Sequence, residues 1–263
     1  MRIAFALAWA LATTAPGQVL KLDLRTRVEP FRGSGEWREV RIARDFPVRE
    51  TAILICDMWD KHWCTGATRR VGQLVEAMAP VVDRARAAGI QIIHAPSETM
   101  DFYRDTPQRR RILAIEKVPT PLPLGLTGPP LPIDDTRGGC DTSDQFYKAW
   151  TRQHPAISIA DPDVISDQGD EVYSFLARRG IRNLLVMGVH TNMCVLNRTF
   201  AIKRMTNWGI RCVLIRDLTD AMYNPKDRPF VSHREGTELV IEYIEKYWCP
   251  TALGTDLVRA LPR

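Results

Sequence analysis

The sequence lacks several features that mark whole classes of proteins. Its 263 residues contain no Cys-x-x-Cys pair, which argues against a structural zinc site or a thioredoxin-like redox site. Basic residues are mixed with acidic ones, and no basic block alternates with aromatic side chains, so nothing predicts nucleic-acid binding. Beyond the first dozen residues, no apolar run approaches the length of a membrane span. What remains is the composition of an ordinary globular protein, 45% hydrophobic and 25% charged.

Six cysteines are too few to form the disulfide framework of a small secreted domain. Cys56 and Cys212 lie in apolar runs and are predicted to be buried. Cys64, Cys140 and Cys249 lie in turn-like contexts. The sequence leaves a Cys64–Cys140 disulfide open, provided that the protein is exported.

The N-terminus has the pattern of a secretory signal peptide over residues 1–20. One basic residue, Arg2, precedes a short apolar run that is followed by small residues. The pattern predicts a periplasmic or secreted protein whose mature form does not contact the membrane. The alternative is an apolar N-terminal strand or a misassigned start, in which case the protein is cytoplasmic.

The body of the chain alternates short apolar runs with amphipathic stretches. Strands are predicted over 51–57, 90–96, 183–187 and 210–217, and helices over 75–88, 170–179, 192–208 and 235–248. Three of the helices are followed by glycine, which commonly ends a helix. Because the strands are apolar throughout, we expect a mostly parallel sheet covered on both faces, a three-layer α/β/α fold.

Two regions depart from this alternation. Residues 21–46 mix apolar and charged positions and predict an extended or hairpin N-terminal arm. Residues 97–155 are rich in proline, glycine, threonine and arginine and predict a long irregular insertion, of a kind that is usually functional or disordered. The remaining chain, 47–263, is predicted to form one domain that contains this insertion.

Two residues stand where an α/β sheet places its chemistry. Asp57 ends the first predicted strand, and Cys194 lies at the start of the helix that follows strand 183–187. Functional groups collect beyond the carboxyl ends of parallel strands, and a helix N-terminus favours thiolate. A carboxylate beside a thiol can serve as its general base. Taken singly, Asp57 also fits a turn residue, and Cys194 a buried packing residue.

The motifs around these residues read Ala-Ile-Leu-Ile-Cys-Asp57 and Gly-Val-His-Thr-Asn-Met-Cys194-Val. They resemble the isochorismatase-like cysteine hydrolase superfamily, which includes nicotinamidases and N-carbamoylsarcosine amidases. The resemblance extends over the strand and helix order from about residue 51 to about 248. It implies a three-layer α/β fold, Asp57 as base and Cys194 as nucleophile. It also implies a cis peptide between Val189 and His190, with the amides of His190 and Cys194 aimed at an oxyanion.

One family residue is missing from its expected place. Where these hydrolases carry a catalytic lysine, this chain has Ser166 or Asp167. Lys117, Lys148 and Arg152 lie elsewhere in the sequence and are candidates to supply a cation. The third catalytic residue is therefore left unassigned.

Further polar and aromatic residues lie close to the two motifs. Trp59, His62 and Asn192 are predicted to contact the substrate. No cofactor is predicted, although Asp60, His62 and His94 offer the carboxylate and imidazole groups that zinc or iron accept.

The leading hypothesis is hydrolysis of a C–N bond in a small amide or carbamoyl compound, through a thioester on Cys194. The alternatives are a catalytically silent binding protein on the same fold, and vinyl-ether hydrolysis of the isochorismatase type. A homo-oligomer is expected only by analogy with relatives.

Overall fold

The computed structural model describes residues 17–261. Most of the predicted signal peptide lies outside this range, and the first strand begins at Val19, inside the segment assigned to it. Within the described range, no helix combines the length and the apolar character that crossing a membrane requires.

A single eight-stranded sheet organises the molecule. Its strands are β1 (Val19–Val28), β2 (Arg38–Pro47), β3 (Thr51–Cys56), β4 (Gln91–Ala95), β5 (Val164–Ile165), β6 (Asn183–Val189), β7 (Arg211–Asp220) and β8 (Thr251–Ala252). The spatial order is β2-β1-β8-β7-β6-β3-β4-β5. Strands β3 to β8 run parallel, whereas β1 and β2 form an antiparallel hairpin at one edge. Every residue of β3 and β6 is buried, as expected for central strands of a sheet covered on both faces.

Helices cover both faces of the sheet. They are α1 (Thr65–Ala87), α2 (Met100–Tyr103), α3 (Pro107–Leu113), α4 (Gly169–Arg179), α5 (Cys194–Asn197), α6 (Ile202–Asn207), α7 (His233–Tyr247) and α8 (Gly254–Ala260). Apolar residues of α1 and α8 pack in one core on one face, and those of α4 to α7 pack in another core on the opposite face. The predicted three-layer α/β/α fold with a mostly parallel sheet is confirmed.

Two helix predictions are wrong in their bounds. Helix α1 begins ten residues before the predicted start at 75. The sequence pattern does not predict these first turns, because two glycines and a pair of arginines interrupt their apolar period. Gly66 is one of them, and a Cβ there would lie 2.2 Å from an Asp141 oxygen, so glycine lets a loop pack against the helix start. The helix predicted over 192–208 is two short helices, α5 and α6, and the chain between them is extended at Arg198.

The N-terminal arm is held to the body by a buried carboxylate. Glu245 of α7 accepts hydrogen bonds from Arg25 (2.6 Å) and Arg27 (3.2 Å) of β1, and from the Thr251 hydroxyl (2.6 Å). Its side chain has no solvent exposure, so its charge depends on the two arginines for compensation.

We expect Glu245→Gln to lower the free energy of unfolding by about 3 kcal/mol, because it removes the fully buried carboxylate that two largely buried guanidinium groups share. Urea unfolding measures this change. Glu238→Gln is the matched control, since its carboxylate lies 3.7 Å from Arg25 but is half exposed. That variant should change stability by less than about 1 kcal/mol. Equal effects of the two substitutions would contradict the assignment.

Candidate active site

The sheet brings the two motifs together because β3 and β6 are adjacent and parallel. Cys56, at the end of β3, is in register with Gly188 of β6. A Cβ at Gly188 would lie 2.0 Å from the Cys56 carbonyl oxygen, and the φ of this glycine is +119°, so only glycine permits so close an approach. The following Val189–His190 peptide is cis. Asp57 and Cys194 thus emerge side by side at one end of the sheet.

The Asp57 carboxylate is fully buried and surrounded by donors. One oxygen accepts the Ser97 amide at 2.7 Å and also the Ser97 hydroxyl, and the other accepts Arg198 Nε at 3.3 Å. The Cys194 thiol is a further neighbour that influences the pKa of this carboxylate. Burial raises the pKa of the Asp57 carboxyl, and Arg198 and Ser97 offset only part of this effect. The group is therefore a stronger base than an exposed aspartate.

The Cys194 thiol is the first side chain of α5 and adjoins Asp57. Burial and the Asp57 carboxylate raise the pKa of the thiol above its ordinary value, whereas Arg198 and the His190 amide act in the opposite direction. In the resting state the sulfur therefore keeps its proton. The expected help from a long helix dipole is absent, since α5 has only four residues.

Arg198 is the cation that the sequence reasoning missed. Its Nε contacts Asp57, and its Nη2 donates to Glu98 Oε1 at 3.1 Å. The two carboxylates help to raise the pKa of the guanidinium above its usual value. A signal was present, because Arg198 follows Cys194 by four residues, one helical turn.

The three cations considered from sequence do not contact Asp57 or Cys194. Lys117 pairs with Asp170 at 2.7 Å on the surface. Lys148 donates to the Glu98 carbonyl at 3.0 Å, and the Arg152 guanidinium lies over an aromatic ring.

Ser166 and Asp167, which stand at the lysine position, have structural contacts. Ser166 donates to Glu171 at 2.5 Å, and an Asp167 oxygen accepts the Glu98 amide at 3.0 Å. Asp167 thereby helps to position the residue that holds Arg198.

An aromatic wall backs the site. Trp59 stacks on Trp150 at 4.3 Å and donates to the Ser97 carbonyl, and His62 meets the ring of His190 at 4.9 Å. Burial lowers the pKa of His62 to about 4 and that of His190 to about 3, so both rings are neutral at pH 7. Trp59 and His62 are buried behind the site and do not line its pocket.

A pocket of about 440 Å³ opens beside the thiol. Its lining residues are Leu131, Asp135, Asn192, Met193, Cys194, Asn197 and Arg198. Of the substrate contacts expected from sequence, Asn192 belongs to this lining. Its amide binds Asp135 at 2.8 Å and both backbone polar groups of Met222, so it also holds the pocket walls together.

The metal alternative from sequence does not fit the geometry. His94 uses one ring nitrogen toward Gln153 and the other toward Asp163, both at 2.9 Å. The Asp60 carboxylate binds the 151–152 backbone, and His62 Nδ1 accepts the Cys64 amide. Among residues 17–261 these three side chains do not converge on one point.

The cysteines considered for a disulfide are neighbours with free thiols. Cys64 and Cys140 lie with Asp144 in a group whose potential ligand atoms are within 4.8 Å of one another. The Asp144 oxygen there also accepts hydrogen bonds from the amide and hydroxyl of Thr65, the first residue of α1.

Comparisons with known proteins agree with the resemblance at the level of fold. A cysteine hydrolase from Pseudomonas syringae pv. phaseolicola 1448A superimposes with a TM-score of 0.55 at 16% identity, over 82% of this chain and 94% of that one. An isochorismatase candidate from Burkholderia xenovorans LB400 superimposes with a TM-score of 0.50 at 17% identity, over 81% and 87%. No family model and no curated protein matches the sequence. The chain therefore has the isochorismatase-like fold.

Proposed function

We propose that this chain, which has the isochorismatase-like fold, is a cysteine hydrolase. It cleaves a C–N bond in a small amide or carbamoyl compound. The observation that carries the proposal is the cluster of Cys194, Asp57 and Arg198, in which Cys194 and Arg198 line a pocket and Asp57 is buried beside them. A nucleophile, a buried base and a cation meet there.

The first half-reaction forms a thioester. Asp57 takes the thiol proton as the Cys194 sulfur attacks the substrate carbonyl carbon. The oxyanion lies near the amides of His190 and Cys194; within the described chain the Cys194 amide, at the first turn of α5, has no other acceptor. The tetrahedral intermediate then collapses, Asp57 delivers the proton to the leaving nitrogen, and the amine departs.

The second half-reaction releases the acid. Asp57, again a carboxylate, removes a proton from water, and the resulting hydroxide attacks the thioester carbonyl. Cys194 leaves and recovers the proton from Asp57. Throughout, Arg198 balances the one negative charge that the acid and the thiol share between them, so the buried pair does not take up an extra proton.

The test is to trap the acyl-enzyme. Protein is mixed with a panel of primary amides and carbamoyl compounds, quenched with acid, and measured by intact mass and peptide mapping. We expect the acyl mass on the peptide that contains Cys194 and none in Cys194→Ala, with hydroxylamine converting the adduct to a hydroxamate. Turnover of vinyl ethers by both proteins would instead support isochorismatase-type chemistry. No adduct and no turnover across the panel would favour the silent binding protein.

A further inference from the structure

We propose that the Cys194 pocket selects substrates that carry a positive charge close to the scissile bond, an ammonium or guanidinium group, and that Asp135 is the residue that recognises it. The inference rests on the proposed function, because it names the substrate class of the same site.

The one guanidinium in the pocket lining is already paired on two sides. Arg198 lies between Asp57, at 3.3 Å, and Glu98, at 3.1 Å, and both contacts use nitrogens of the same planar group. A substrate carboxylate would have to compete with two resident carboxylates for this cation. Arg198 thus serves the Asp57–Cys194 pair and is poorly placed to bind an anionic substrate.

Asp135 differs from Arg198 in how it is paired. Its Oδ2 accepts the Asn192 amide at 2.8 Å, and no arginine, lysine or histidine lies within salt-bridge distance in the part of the chain that the structure describes. The nearby Arg137 pairs with Asp227 instead. Because Asn192 is itself locked to the Met222 backbone, Asp135 is held in place as a half-buried carboxylate without a counter-ion.

Lys203, a cation beside Asn197 of the pocket lining, has partners of its own. The Lys203 ammonium donates to Asn197 Oδ1 at 2.8 Å and lies over the Trp248 ring at 5.2 Å. Its ammonium is therefore engaged by Asn197 and Trp248. The guanidinium in the pocket lining is committed to Asp57 and Glu98, so a bound cation would supply the partner that Asp135 lacks within the described chain.

Apolar lining supports a compact substrate. Leu131 and Met193 supply the apolar part of a pocket of about 440 Å³, with Asp135 and Cys194 both in its lining. A short carbon chain between a cationic group and an amide or carbamoyl carbon would connect these two residues. The predicted class is thus a small cationic amide, ureido or carbamoyl compound.

Charged thiol reagents test the subsite without requiring turnover. Cys194 is treated with methanethiosulfonates whose tail is cationic (trimethylammonioethyl), anionic (sulfonatoethyl) or neutral (methyl), and modification is followed by peptide mapping. In each case the thiolate attacks the reagent sulfenyl sulfur, a disulfide forms and methanesulfinate leaves. Each modification rate is divided by the rate of the neutral reagent. We expect the cationic reagent to react at least tenfold faster than the anionic one, and this ratio should fall as salt is added.

Asp135→Asn should reduce the cation-to-anion ratio by about tenfold while leaving the neutral rate within about twofold, since asparagine keeps the shape and the acceptor for Asn192. Asp135→Ser is a second variant that removes the negative charge of Asp135. Asp134→Asn is the matched control, because its carboxylate binds Thr136 and does not line the pocket. A ratio near one in the unaltered protein, or a ratio that Asp135→Asn does not change, would overturn the proposal.

Substrate pairs complete the experiment. An ω-amino amide and its ω-carboxy counterpart of equal length are compared by kcat/KM, with at least tenfold preference for the cation expected and lost in Asp135→Asn. A charge preference in reagent labelling without turnover of any amide would retain the subsite and reject the hydrolase. Turnover of the carboxy compound in preference to the amino compound would retain the hydrolase and reject the subsite.

Discussion

Arg198→Ala is expected to lower kcat/KM at pH 7 by roughly 100- to 1,000-fold, comparable to the loss of an electrostatic group at an oxyanion site. Without the guanidinium, the buried Asp57–Cys194 pair has no counter-charge and holds an additional proton. A neighbouring cation lowers the pKa of an acid, so its removal raises the pKa of the pair, and the rising limb of the pH–rate profile should move to higher pH. Activity should therefore recover in part as the pH is raised.

Two further variants decide whether Arg198 acts through its charge. Arg198→Lys should restore part of the rate and most of the pH profile, because an ammonium keeps the charge but cannot contact Asp57 and Glu98 through one planar group. Arg152→Ala is the control, since that guanidinium lies over Phe102. If the Arg152 variant lost activity and the Arg198 variant did not, the cation would be wrongly assigned.

Asp57→Asn is expected to separate two reactions of the same sulfur. Amide turnover should fall by roughly 1,000-fold, because no group takes the thiol proton or delivers it to the leaving nitrogen. Simple alkylation needs only the thiolate. Because the Asp57 charge raises the pKa of Cys194, its removal should leave the iodoacetamide rate at pH 7 unchanged or increased.

The opposite pattern would contradict Asp57 as the proton carrier. If turnover and alkylation fell by the same factor, Asp57 would be acting by holding the sulfur in place rather than by moving a proton. Asparagine retains the acceptor for Ser97 but turns an amide toward Arg198 or the thiol. Thermal unfolding and the specificity of labelling for Cys194 are therefore measured together with the turnover and alkylation rates, to show that the fold of the variant is intact.

Much of the fold followed from local patterns. The apolar runs that form β3, β4, β6 and β7 are buried on both faces, so their hydrophobic character predicts strands without knowledge of the partners. Glycines at 180 and 209 do end or follow helices with positive φ. The start of α1 was missed because its first turn is selected by packing against the 139–144 loop, as Gly66 shows, and not by an apolar period.

The break between α5 and α6 was missed for a related reason. Residues 192–208 carry a helical pattern with no proline or glycine before Gly209, and nothing local predicts an extended Arg198. The buried Asp57 carboxylate lies directly after β3, far away in sequence, and its ion pair with Arg198 forms only when β3 and β6 are adjacent. The tertiary ion pair, and the turn that accompanies it at Arg198, therefore interrupt the helix that the sequence pattern predicts.

The positions of Asp57 just after a strand and of Cys194 at the start of a helix are properties of the linear order, and so are the glycine and cysteine spacings that point to acyl chemistry. The linear order does not identify the cation beside the base or the unpaired carboxylate in the pocket. Arg198 and Asp135 acquire their roles from which other charges lie within a few ångströms of them, and charge pairing between distant segments has no periodicity that a sequence pattern can display.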